Sequence, residues 1–175
     1  MDIKVQMDAQ ATLQAMEKSP ETTLNYMRRA LQESCRLVQR GAREQHKFKS
    51  RGGSLERAIR FRTNLKKCEG VIDINPAIAS YGVFVHEPTG TFAPADKRLP
   101  SKFYRWADGS YAIKPVNKKM LRFLDKRGGF VFARKVRHPG TPADRFLYES
   151  ADRNRAEINE IFARNNRLAI KEAGL

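Results

Sequence analysis

Cysteine is scarce: Cys35 and Cys68 are the only two in 175 residues, and they stand in different segments without metal-ligand spacing. That excludes a disulfide framework, and in a reducing compartment both thiols are expected to be structural or incidental. Apolar runs are short as well, and none approaches the roughly 18–20 residues a membrane span needs. The start, Met1-Asp2-Ile3-Lys4, lacks a charged-then-apolar leader, so synthesis and use in a cytoplasm are expected. Histidine occurs three times. His46 sits in a basic loop with no expected acidic orienter, and His86 and Glu87, being adjacent, are expected to point apart. No HExxH, CxxC, GxSxG or glycine-rich phosphate loop occurs. The 19 acidic residues form no DxD or paired-carboxylate constellation. Only a convergence in space of Asp73, Glu87 and Asp125 would supply one. An enzyme is not expected, nor is a metal or cofactor.

Positive charge, by contrast, is abundant. The net charge is +15, distributed as −1 over residues 1–20, +8 over 21–70, −2 over 71–90, +10 over 91–140 and 0 over 141–175. The ends are balanced and the middle is basic, which favours a polyanion such as DNA or an acidic protein surface.

Alternation of Ile3, Val5 and Met7 with polar residues predicts a strand, followed by a short helix over Ala9–Lys18. Ser19-Pro20-Glu21 has the cap, proline and acid of a helix start. The helix it opens, to about His46, carries the clearest pattern in the chain. At about 100° per residue, Leu24, Met27, Leu31, Cys35, Val38 and Ala42 fall within roughly 80° of one another. Arg29, Arg36, Arg40 and Arg43 cluster on the opposite side. This arginine stripe is either a solvated face, with Glu33 and Glu44 nearby, or a contact surface for DNA or an acidic partner.

A basic loop, His46–Gly53, leads to Ser54, which can cap a short helix over Leu55–Arg60. Ile59, Phe61 and Thr63, then Val71–Ile74, predict a hairpin crossing Lys66–Gly70. Asn75-Pro76 opens an apolar helix over Ala77–His86. Residues 88–109 hold no sustained period, and a loop of about 20 residues in a compact domain is often functional. It carries Lys97, Arg98, Lys102 and Arg105 with Phe103, Tyr104 and Trp106 among them. Such aromatics can stack on bases but also suit a protein interface, the reading preferred here. Three more strands are expected over Tyr111–Lys114, Met120–Leu124 and Gly129–Val136.

Thr141-Pro142 is expected to cap a final helix reaching about Ala173, with Leu147, Ala151, Ile158, Ile161, Phe162 and Ala169 on one face. Asn154 and Asn165 fall within that stripe, where they either pair across an interface and fix register or touch water at its edge. There is no internal repeat. The expected fold class is α+β, a single domain with a mainly antiparallel sheet, the long helix and the C-terminal helix on one face, and an extended loop at about 88–110.

Four segments carry a resemblance to the tail-completion, or head–tail joining (neck), proteins of long-tailed bacteriophages. Gly53-Ser54-Leu55-Glu56-Arg57-Ala58-Ile59 resembles the family's Gly-x-Leu-x-x-x-Ile approach to the sheet. Tyr81–Gly90 (YGVFVHEPTG) is similar to its apolar helix ending in Phe-Val-x-x-x-Thr-Gly. Ile113-Lys114-Pro115 with Leu121-Arg122-Phe123 resembles the pair Ile-x-Pro-Lys and Leu-x-Phe. Val136–Ala151 (VRHPGTPADRFLYESA) resembles the family's His-Pro-Gly-Thr-x-Ala-x-x-Phe-Leu. The chain departs from the family where Lys49–Gly53 replaces Pro-Val-x-Thr-Gly.

The resemblance implies a structural virion protein: a subunit of a ring, hexameric by expectation, joining the tail tube or terminator to head-side connector proteins. It implies no membrane association. Assembly would occur in the host cytoplasm, and packaged DNA passing the ring would be met through phosphates. Candidate interface residues are Phe84, Val85, Phe103, Tyr104, Trp106, Asn154 and Asn165. Candidate contacts to DNA or an acidic partner are Arg29, Arg36, Arg40, Arg43, Lys97 and Arg98. His138, Pro139, Gly140, Thr141 and Phe146 are expected to organise the fold. The alternative is a free-standing, non-specific nucleic-acid-binding protein.

Overall fold

The computed structural model describes residues 9–49, 52–94, 106–124 and 127–175. The strand expected over residues 2–8 lies outside them, as do Lys97, Arg98, Phe103 and Tyr104. The class is α+β, with a long helix in the N-terminal half, a C-terminal helix and short antiparallel ladders. The chain divides into two compact units: residues up to Gly82 joined by Arg145–Leu175, and Val83–Asp144. The loop expected at about 88–110 falls inside the second unit.

Helix α1 (Ala9–Lys18) and helix α2 (Pro20–Glu44) meet at Ser19. Pro20 suits the first turn because it lacks an N–H that would go unpaired there. Ser19 acts through its carbonyl, which accepts from Thr23 N (3.1 Å) and Thr23 Oγ1 (3.0 Å), and not through its hydroxyl. Leu31, Cys35, Val38 and Ala42 are buried, as the periodicity predicts. Leu24 is exposed and Met27 half-buried, contrary to expectation. At this end of α2 the packed face is shifted to Thr23 and Ala30, which meet Phe162 and Ala169 of the C-terminal helix. Burial pushes the Cys35 thiol up to about 11, so it stays protonated at neutral pH.

The expected final helix is two helices, α5 (Phe146–Arg153) and α6 (Arg155–Glu172). Thr141 does not cap them. Its N–H donates to Thr89 Oγ1 (2.9 Å) and its carbonyl accepts from Thr89 N (2.9 Å), which ties it to another segment. The break falls at Asn154, whose side-chain amide donates to the Ser150 carbonyl at 2.8 Å. The same carbonyl also accepts from Asn154 N (3.2 Å), so one acceptor is shared by two donors at the junction.

The crossing of α2 and α5 depends on two small residues. Ser150, fully buried, donates its hydroxyl to Val38 O at 2.8 Å. A side chain at Gly41 would run into Ser150 Oγ, so only glycine lets the helices approach this closely. Phe146, also fully buried, anchors the start of α5, and Phe48 meets it edge-on at 5.3 Å.

Helix α3 (Ser54–Ala58) starts after Gly53, which takes the left-handed cap (φ 65°), so Ser54 is the first helical residue and not the cap. Strands β1 (Ile59–Asn64) and β2 (Glu69–Ile74) then form the expected hairpin, pairing Ile59 with Ile74 through Asn64 with Glu69. Its outer face carries Arg60 and Arg62, both bonded to Asp73 at 2.6 Å. The following helix, α4, covers only Gly82–His86. Its expected first half is a single turn instead, in which Asn75 Oδ1 accepts from Ala77 N, and Asn75 O from Ile78 N and Ala79 N (each 3.1 Å).

In the second unit β3 (Tyr111–Ile113) pairs with β6 (Val136–His138), and β4 (Leu121–Leu124) with β5 (Phe130–Ala133). The strand expected over Gly129–Val136 is therefore split at Arg134-Lys135, its two halves serving different partners. Among the described residues the strands form three two-stranded ladders and not one continuous sheet. Two segments far apart in sequence lock together here. Thr89 N donates to Thr141 O and Thr91 N to Pro139 O (2.7 Å), while His138 Nδ1 accepts from Gly140 N (3.0 Å). Gly90 (φ 63°) and Gly140 (φ 109°) make this possible, since a Cβ at Gly90 would strike Pro139 O and one at Gly140 would strike Thr89 O.

Gly41→Val is expected to destabilise the protein by about 1–3 kcal/mol through overpacking. Ser150→Ala in the same chain should recover part of the loss, a non-additivity readable in chemical denaturation. Gly140→Ala is expected to cost at least about 1–3 kcal/mol from positive-φ strain, added to the backbone collision; thermal unfolding checks it.

Candidate functional site

The arginine stripe does not act as one surface. Arg29 Nε bonds Glu33 Oε1 at 3.0 Å, and Glu33 Oε2 also accepts from Arg164 (2.7 Å) and Asn165 (3.4 Å). Burial pushes the Glu33 carboxyl up, but the bonds from Arg29, Asn165 and Arg164 outweigh it and hold it below its ordinary value. Arg43 is used internally: with Gln39 it donates to Ile59 O (2.6 and 2.7 Å) and fixes the start of β1. That leaves Arg36 and Arg40, both exposed and, among the described residues, without an ion pair.

These two arginines form one wall of an open groove of about 820 Å³ between α2 and α5–α6. Leu37, Ala156 and Ile161 supply its apolar surface, and Glu157 and Glu160 stand on the α6 side. Among the described residues neither of these glutamates has an ion pair, while Arg164 of α6 bridges to Glu33 of α2 at 2.7 Å and, with Arg153, also lines the groove.

The β4–β5 hairpin is the opposite kind of surface. Leu121, Phe123, Val131 and Ala133 point to one face, and Arg122, Leu124, Phe130 and Phe132 to the other. Leu124 (62%), Phe130 (56%) and Phe132 (57%) are largely exposed, and Phe123 and Val131 are exposed on the reverse. The Arg122 guanidinium lies 4.0 Å from the Phe130 ring centre. Residues 114–137 hold nine Lys and Arg against one Asp.

Beside it, Trp106 is held in a basic frame. Its ring has Lys135 and Arg137 each 5.0 Å from the centre. Arg137 donates to Asp108 Oδ2 (2.6 Å) and Ser110 Oγ (2.8 Å), and Ser110 donates to Asp108 Oδ1 through its hydroxyl (2.7 Å) and N–H (3.0 Å). Those Ser110 bonds first, and Arg137 after them, hold the Asp108 carboxyl at about 2 against an ordinary 3.8. Trp106, expected on a free loop, thus belongs to a braced turn leading into β3.

The other expected interface residues divide. Phe84 is exposed and Val85 half-buried, with Val85 O accepting from Asp144 N at 3.0 Å. Asn165 is buried and not available to a partner, and Asn154 is half-buried with its amide nitrogen bonded back to Ser150 of α5. Asn165 (2% exposed) donates to Ile161 O at 2.9 Å and to Glu33 inside the α2–α6 seam. An apolar-stripe asparagine satisfies backbone and carboxylate partners within its own fold just as well as across an interface, and nothing in the spacing separates the two.

For catalysis the arrangement offers little. His86 and Glu87, expected to diverge, bond at 3.0 Å, and His46 stands 3.4 Å from Glu56 while stacking on Phe48. Asp73 is occupied by Arg60 and Arg62, and Asp125 lies outside the described residues. Among the described residues no group of three His, Cys, Asp or Glu is placed to hold a metal, and no helix is long and apolar enough to cross a membrane.

Sequence reasoning read the β4–β5 segment as strands but missed that both faces stay uncovered. The run Phe130-Val131-Phe132, apolar at successive positions, shows that both faces are apolar, but such a run reads equally as a strand covered on both sides. The groove was missed because it needs two helices side by side. No family model matches the chain, and no curated protein or solved structure matches it significantly.

Because the folded Asp108 value is depressed, its bonds stabilise the turn at pH above about 4 and are lost as pH falls from about 4 through about 2. Trp106 is the only tryptophan, so its emission is expected to shift across that window, and Asp108→Asn is expected to abolish this acid limb.

Proposed function

We propose that this chain is a non-enzymatic structural subunit of the head–tail joint of a long-tailed phage, assembling as a ring, of six copies by expectation, at the top of the tail. The observation that carries the reading is the β4–β5 hairpin. A two-stranded ribbon is marginal in water by itself, and this one displays large apolar side chains on both faces. Exposed apolar surface of that kind marks an association site. A subunit that works by joining neighbours has use for it, whereas a self-contained enzyme does not. Support also comes from the motifs of the resemblance: Thr89-Gly90 and His138–Thr141 meet as a glycine-dependent clamp, which gives them an architectural role.

A second reading, non-specific nucleic-acid binding, is favoured by one observation, the nine Lys and Arg of residues 114–137. Phosphate contacts would use these cations and show a steep salt dependence, but they leave Leu124 and Val131 uncovered.

The purified protein, added to an extract of unjoined heads and tails, is expected to enter the particles. Light scattering at two salt concentrations, with and without a short DNA duplex, completes the test. A chain that the extract ignores, but that binds the duplex tightly at moderate salt, overturns the neck reading in favour of the second.

A further inference from the structure

We propose that the β4–β5 hairpin of one copy seats in the α2–α6 groove of the next; the inference rests on the ring reading above and names the two surfaces that close it. Each surface lacks what the other holds. The hairpin is rich in aromatics and cations and, over residues 114–137, has a single acid. The groove is lined mainly by charged residues around Leu37, Ala156 and Ile161, with no aromatic side chain and with two glutamates that have no ion pair among the described residues. Arg164 and Glu33 bridge the walls at one place, while Arg36, Arg40, Glu157 and Glu160 have no ion pair among the described residues, so an inserted element can meet these four.

The sides of the hairpin match the walls. On its more exposed face, β4 brings Arg122 and β5 brings Phe130 and Phe132. With β4 along the α6 wall, Arg122 reaches Glu157 and Glu160. With β5 along the α2 wall, the phenyl rings lie under the guanidiniums of Arg36 and Arg40, an arrangement favoured once water is excluded. Leu124 then covers the apolar part of the lining. A nucleic acid satisfies only the cations, and it leaves the exposed aromatics of the hairpin and Glu157 and Glu160 of the groove unmatched.

The two patches are different surfaces of one chain, so the contact is head-to-tail. Such contacts propagate until they close as a ring, and each copy gives one hairpin and receives one.

The test uses two full-length variants. Leu124→Asp with Phe132→Asp disables the hairpin; Arg36→Glu with Glu160→Arg disables the groove. All four positions are exposed, so both variants should fold, which circular dichroism and Trp106 emission verify. Wild type is expected to form closed oligomers by light scattering. Each variant alone is expected to be monomeric, with association weakened at least about tenfold. Mixed together they should give a 1:1 dimer and nothing larger, since one intact interface remains between a good hairpin and a good groove.

Wild-type rings that neither variant disturbs would overturn this contact while leaving the ring reading standing. Variants that stay monomeric when mixed would also overturn it, since hairpin and groove would then not be each other's partners. A wild type that remains monomeric at every concentration overturns it too, whereas uptake into particles tests the neck reading separately.

Discussion

Helix α2 has to be packed on by every other element of the first unit, and that requirement shapes the rest. Its 25 residues extend about 38 Å at 1.5 Å per residue, too long for any single neighbour to cover. Helix α1, the β1–β2 hairpin, α5 and α6 each take part of it. Close approach on so many sides needs small residues, and α2 supplies Ala30, Ser34, Gly41 and Ala42 at the contacts. Large fully buried side chains are few, with Phe146, Leu55 and Ile59 prominent among them. Geometry at the crossings therefore matters more to this fold than bulk apolar volume.

The same economy explains where the polar groups went. With small residues at the seam, side-chain amides and hydroxyls reach backbone carbonyls directly: Ser150 to Val38, Asn154 to Ser150, Asn165 to Ile161. Glu33 gathers Arg29, Arg164 and Asn165 at one carboxylate. A buried polar group is costly unless paired, and these pairings consume residues that would otherwise face a partner. What survives on the surface is consequently more specific than a stripe of like charge: a groove of mixed sign in which Arg36, Arg40, Glu157 and Glu160 have no ion pair among the described residues.

The second unit is built on another principle. Its ladders are two-stranded, its turns rest on Gly90, Gly140 and the Asp108–Ser110–Arg137 brace, and its β4–β5 ribbon is not covered on either face. Such a ribbon draws little stability from its own fold. Its aromatic and basic side chains make sense as one half of an association, and the Arg122–Phe130 contact shows how cation and ring already sit together before a partner arrives.

Much of the local structure was legible in the chain. Period and proline placement located α1, α2, the β1–β2 hairpin and the strands β3 and β4, because side-chain periodicity and proline dihedrals act over a few residues. Cys35, Val38 and Ala42 were identifiable as core for the same reason. The basic centre of the chain is likewise a property of composition alone. Only tertiary structure decided that Thr141 bonds Thr89 instead of capping a helix, and that Arg43 is spent on Ile59 O while Arg36 and Arg40 are not. Each of those outcomes depends on a hydrogen-bond partner far away in sequence, or on a neighbour whose position the fold sets. A pattern read along one segment carries no information about what stands opposite it.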